Sequence, residues 1–138
     1  MTTVATILGV DPGTKRIGLA IADLETRFAH PLEVVPASSE AIARIVELAE
    51  ERAAAKLVVG RPVSLSGTDG PAVEDQQRFV AALRAATDIP VEEYDERLTT
   101  VVAESAMRAA GTSAKGRKQI RDAVAAQVLL QGFLDATR

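Results

Sequence analysis

The chain has 138 residues, 47% hydrophobic and 25% charged, with a formal net charge of −3. That length builds one domain with a proper core and is short for two, so a single domain over residues 1–138 is expected. The absence of cysteine excludes disulfides, zinc–thiolate sites and thiol catalysis. The segment Met1-Thr2-Thr3-Val4 has no charged region followed by a long apolar run, and no stretch reaches membrane-spanning length. A cytoplasmic protein with no membrane partner is the expectation. The mild negative charge argues against a generic nucleic-acid binder. Aromatic residues, at 3%, leave little for base stacking, so any nucleic-acid contact should be to backbone and shape.

In chain order, Ala5–Val10 and Arg16–Ala22 read as strands, and the short Asp11-Pro12-Gly13 turn between them makes a hairpin. Phe28–Val35 is a third strand, and Pro31 suits it to a sheet edge. Ser38 or Ser39 caps a helix running to about Ala55, with Ile42, Ile45, Val46 and Leu48 at helical spacing. Lys56–Gly60 is a short buried strand, followed by the Pro/Ser/Gly-rich loop Arg61–Gly70. Pro71 opens a helix to about Ala86, with Val73, Phe79, Val80 and Leu83 inward. Ile89–Tyr94 is a fifth strand. A third helix starts at Thr99 or Thr100 and ends near Gly111. Gly111–Gly116 reads as a mobile basic loop and Lys118–Ala136 as the last helix. Three strands joined by short turns form an antiparallel meander, and strands separated by helices form parallel crossovers. The expected fold is α/β: a mixed five-stranded sheet with helices on both faces.

The acids carry the chemistry. Asp11 ends an apolar strand, where a carboxylate is costly unless compensated, and a metal ion is the natural compensator. Gly13 lets a phosphate approach the turn backbone. Phosphodiester cleavage by two metals needs carboxylates converging from different elements, with the ions about 3.5–4 Å apart. Hard Mg2+ or Mn2+ prefers such oxygen donors. Asp11, the Asp95–Glu96 pair and Asp122 are the candidates. Asp122 stands three and four residues before Ala125 and Ala126, whose small side chains let the last helix pack closely on the sheet. Neighbouring strand residues face opposite ways, so one of Asp95 and Glu96 is a ligand and the other structural; Glu96 is the favoured ligand. Each acid also has a plainer explanation: Asp11 as a turn residue, Asp122 as a helix-start acid. Glu74 and Asp75 read as helix-start acids.

Lys15, Arg16, Arg61, Arg97 and Lys118 stand beside these acids and are the candidate phosphate contacts. Thr99 and Thr100 offer either an anion site at a helix start or simple capping. Ser64, Ser66, Gly67 and Gly70 make either a closing loop or a plain connector. His30, beside Pro31 and far from the acids, reads as structural, so Ser-His-Asp catalysis has no local support.

Four blocks resemble the YqgF family, also called RuvX or the pre-16S rRNA nuclease family, related to Holliday junction resolvases. They are Gly9–Ala22, Val58-Val59-Gly60-Arg61-Pro62 with Ser66-Gly67-Thr68, Asp95-Glu96-Arg97-Leu98-Thr99-Thr100, and Asp122–Leu134. They follow the family's order and cover nearly the whole chain. The resemblance implies an RNase H-like fold, a metal-dependent nuclease using Mg2+ or Mn2+, and catalytic ligands at Asp11, Glu96 and Asp122. The implied substrate is structured RNA, namely precursor 16S rRNA processed at its 5′ end in ribosome biogenesis, or branched DNA. A dimer is implied if two junction strands are cut symmetrically. Two departures stand out. Position 61 is Arg where an apolar residue is expected. The acid that resolvases and RNase H carry at the end of the fourth strand is also missing, since that position reads Gly60-Arg61-Pro62. A third carboxylate must therefore come from elsewhere, and the Asp95–Glu96 pair is the natural source. A Holliday junction resolvase, a phosphate-binding ATPase or sugar kinase, and a non-catalytic ribosome-assembly factor are the alternatives.

Overall fold

The computed structural model describes residues 5–61, 71–95 and 114–137. Five strands form one sheet: β1 (Thr6–Pro12), β2 (Arg16–Asp23), β3 (Ala29–Pro36), β4 (Ala54–Arg61) and β5 (Val91–Asp95). Its order is β3-β2-β1-β4-β5. The first three strands pair antiparallel, and β1–β4 and β4–β5 pair parallel. This is the mixed sheet expected from short turns early and helical crossovers later. Pro31 lies in β3, an edge strand, where a residue without an N–H is tolerated.

Strand alternation sorts the core into two layers. Leu8, Val10, Leu57 and Val59 pack with Ile45 and Leu48 of α1 (Ala41–Glu51) and Val80 and Leu83 of α2 (Pro71–Ala86). On the other face Ile7, Ala20, Ala22 and Val58 pack with Ala126, Leu130, Phe133 and Leu134 of α3 (Ala114–Ala136). In β3 the register shifts, with Leu19 opposite Glu33 and Ala20 opposite Pro31. The extra residue reverses the alternation, so Ala29 faces α3 while Val35 faces α1.

Two boundaries differ from expectation. The first helix stops at Glu51, although Ala53-Ala54-Ala55 is a strongly helix-favouring run. Ala53 takes a left-handed φ of 55°, and Ala54 then pairs with Thr6 at the start of β4. Sheet pairing overrides local propensity there. The N-cap residue Glu40 makes no side-chain cap; Ser38 accepts the Ala41 N–H at its carbonyl at 3.1 Å and the Glu40 N–H at its Oγ at 3.3 Å. The last helix starts at Ala114 rather than Lys118, running through Gly116 where a loop was expected. A glycine in a helix interior costs only about 1 kcal/mol, which a long helix packed on a sheet tolerates. The expected third helix from Thr99 and the loop 62–70 lie outside the described residues.

α3 lies unusually close to β1 and β2. A Cβ added at Gly18 would stand 1.9 Å from the Asp122 carbonyl oxygen, and one at Gly9 would stand 2.9 Å from the Leu130 Cβ. Two strand glycines thus complement Ala125 and Ala126 on the helix, both of them buried. Gly18→Ala must push backbone from backbone, so it should destabilise by about 1–3 kcal/mol or more and lower the melting temperature by several degrees. Gly132→Ala meets only the Tyr94 side chain, its hydroxyl at 3.4 Å and its ring from 3.6 Å. It relieves a helix-interior glycine and should leave the melting temperature unchanged or raise it. Thermal unfolding of the two variants checks this; equal destabilisation would contradict the close-packing account.

Candidate metal and phosphate site

Because β1, β4 and β5 run parallel, their C-terminal ends share one end of the sheet. Asp11 lies near the end of β1, Arg61 ends β4 and Asp95 ends β5, with Arg61 and Asp95 in register. Ligands of open α/β sheets bind at this end of the strands.

The face is set by alternation. Gly9 points at Ala126 and Leu130 of α3, and Asp11, two residues on, returns to the same face. Asp11 pairs across the hairpin with Gly18, and Gly18 abuts the backbone of Asp122. Cross-strand partners share a face, so Gly18 is the surface on which the two acids converge. With eight residues of α3 ahead of it, Asp122 sits well inside the helix. That removes the helix-start explanation for this acid, because the dipole effect fades after the first turn.

The Asp122 carboxylate has a partner. Its Oδ2 accepts a hydrogen bond from Arg16 Nε at 2.6 Å, a charge-assisted contact between partly exposed side chains. The turn that delivers Arg16 is tight. The Gly13 N–H donates to the Arg16 carbonyl at 3.0 Å, and a Cβ at Gly13 would stand 2.4 Å from that oxygen. Lys15 is exposed at the tip, and its carbonyl accepts the Ala37 N–H at 2.9 Å, tying the turn to the segment after β3.

The structure therefore brings Asp11, Asp122, Arg16 and Lys15 to one end of the molecule. It places the backbones of Arg61 and Asp95 at that same end and that of Lys118 one turn before Asp122, while their side chains lie outside the described residues. Glu96, Arg97, Thr99, Thr100, Ser64, Ser66, Gly67 and Gly70 also lie outside them. Among the described residues no three His, Cys, Asp or Glu side chains gather as a metal cluster. Two aspartates converging on one glycine still supply hard oxygen donors from two elements, which fits Mg2+ or Mn2+. His30 is exposed on the edge strand, away from this site. Glu74 and Asp75 reach Arg78 at 3.7 and 3.6 Å at the start of α2, in keeping with helix-start acids.

Two participants escaped the sequence reading: Gly18, and Arg16 as the partner of Asp122. A glycine inside the apolar run Ile17–Ala22 was the available signal, since such a residue marks a close backbone approach.

Known proteins resemble this chain in sequence and in fold. A chain from Chloroflexus aggregans named "Putative pre-16S rRNA nuclease" is 47% identical over 135 residues, covering 96% of this chain and 95% of its own length. One of the same name from Anaeromyxobacter dehalogenans is 45% identical over 130 residues, covering 93% and 95%. Among solved structures, Thermus thermophilus RuvC in complex with a Holliday junction substrate superposes with a TM-score of 0.59 at 20% identity, covering 95% of this chain and 94% of its own. Fowlpox virus resolvase with Holliday junction DNA gives 0.58 at 10% identity, covering 95% and 97%. At these identities the two structures establish the fold alone, which is the RNase H-like fold of resolvases. The family profile described as "RuvX: Holliday junction resolvase" matches residues 5–136, and the chain belongs to that family.

Proposed function

We propose that this chain is a metal-dependent endonuclease that trims the 5′ end of precursor 16S rRNA in the cytoplasm. Asp11, Glu96 and Asp122 are its ligands for Mg2+ or Mn2+. The observation that carries the proposal is the convergence of Asp11 and Asp122 on Gly18. The names of the relatives support rRNA as substrate. Neighbouring strand residues face opposite ways, which gives one member of the Asp95–Glu96 pair to the site, and Glu96 is the favoured one.

Bound ions supply Lewis acidity and an activated water at the phosphodiester. The protein contributes placement. Asp11 is fixed by a paired strand and Asp122 by a helix locked to that strand, so the carboxylates need little reorganisation. Lys15 and Arg16 at the hairpin, with Arg61, Arg97 and Lys118, contact substrate phosphates. They provide the positive rim that a chain of net charge −3 otherwise lacks. Among the described residues no helix is long and apolar enough to cross a membrane. The family's description favours one second reading, resolution of DNA four-way junctions, which needs two copies to cut symmetrically.

Asp11→Asn and Asp122→Asn should each lower Mn2+-dependent cleavage by at least about 10²-fold, equivalent to several kcal/mol of transition-state stabilisation, with circular dichroism unchanged. Wild-type rates in both folded variants would remove the site assignment. Glu96→Gln should be inactive and Asp95→Asn active; the reverse would exchange their roles. Running precursor 16S rRNA beside a four-way junction identifies the substrate. Salt-sensitive binding of RNA without cleavage would point instead to a non-catalytic assembly factor.

A further inference from the structure

We propose that Arg16 is an exchangeable counter-ion: it holds Asp122 while no metal is bound and passes to a substrate phosphate when one is, coupling metal loading to nucleic-acid binding. The inference rests on the metal-site reading above and adds to it a role for one cation.

Three observations support it. Arg16 Nε lies 2.6 Å from Asp122 Oδ2, so this cation occupies a carboxylate oxygen that a metal ion would use. The pair is partly exposed, with side chains 35% and 25% accessible, so water screens it and exchange is cheap. The backbone beneath Arg16 is pinned by the Gly13 N–H, and Gly18, two residues on, is locked against α3. Only the long Arg16 side chain needs to move.

Electrostatics gives the direction. A divalent cation at Asp122 brings two positive charges beside the Arg16 guanidinium. Asp122 cannot serve both fully, so Arg16 is displaced. Arg16 stands at the base of the same turn as Lys15, and a guanidinium released there suits a phosphate oxygen. Asp122 thus exchanges one cation for another, and the displaced one becomes a substrate contact. Linkage makes the effect reciprocal: a phosphate that takes Arg16 must favour metal at Asp122 by the same factor.

Two measurements test this on the full chain. Mn2+ titration calorimetry without nucleic acid should show Arg16→Met binding Mn2+ about five-fold tighter than wild type or more, because the competing cation is gone. Binding of a labelled RNA duplex with a 5′ overhang should then be followed against KCl concentration, with and without Ca2+ as an ion expected to bind without supporting cleavage. Wild type should show a salt slope steeper by about one when Ca2+ is present, reflecting one added phosphate contact, while Arg16→Met shows no such change. Arg16→Lys should restore part of the slope change. If Arg16→Met does not fold by circular dichroism, Arg16→Gln gives the same comparison. Equal Mn2+ affinity of wild type and variant, or equal slope changes, would overturn the exchange. If Asp11→Asn loses Mn2+ while Arg16→Met matches wild type, the metal site stands and the exchange alone falls. If wild type binds no Mn2+, the metal-site reading falls and the exchange with it.

Discussion

The contact between Gly18 and the backbone of Asp122 is the constraint on which the proposed site depends. A strand and a helix approach so closely that no side chain fits between them. The strand residue opposite Gly18 is Asp11. Two acids separated by more than a hundred residues in sequence are therefore neighbours because a hydrogen atom stands where a methyl group would not fit. Gly9 and Ala126 extend the same close packing along α3, and Leu130, Phe133 and Leu134 give the helix its buried apolar face. The core thus does more than stabilise the fold, since it fixes the distance between the elements that bear Asp11 and Asp122.

Much of this was legible in the residues. The hairpin followed from a turn too short for any other connection. The edge position of β3 followed from Pro31, and α2 runs from Pro71 to Ala86 as its N-terminal proline and apolar spacing imply. Asp11 and Asp122 stood out as acids beside apolar runs. The misses share a cause, which is tertiary contact overriding local preference. Ala53 leaves the helix because the next residue is wanted by β1, and Gly116 continues a helix whose later turns pack on the sheet. Partnerships were the least legible of all. Arg16 read as a cation near a phosphate site, and nothing along the chain indicated that it meets Asp122.

That partnership bears on how an acidic chain handles a polyanion. Its net charge of −3 gives no general attraction to nucleic acid, so attraction must be local. At the hairpin it is: Lys15 lies exposed at the tip, and Arg16 is tied up with an acid. The proposed site carries carboxylates and cations at close quarters, with Arg16 held on Asp122. Gly60-Arg61-Pro62 offers no acid at the end of β4, so the proposed third ligand is sought in the Asp95–Glu96 pair.

The central claim is that Asp11 and Asp122 serve one metal site. A double-mutant cycle on Mn2+ affinity tests it most directly, using Asp11→Asn, Asp122→Asn and the double variant in calorimetry. Two ligands of one site must be strongly non-additive, with either single substitution losing nearly as much affinity as both together. Additive losses would show that the acids act independently, and retained wild-type affinity in the double variant would show that the metal binds elsewhere.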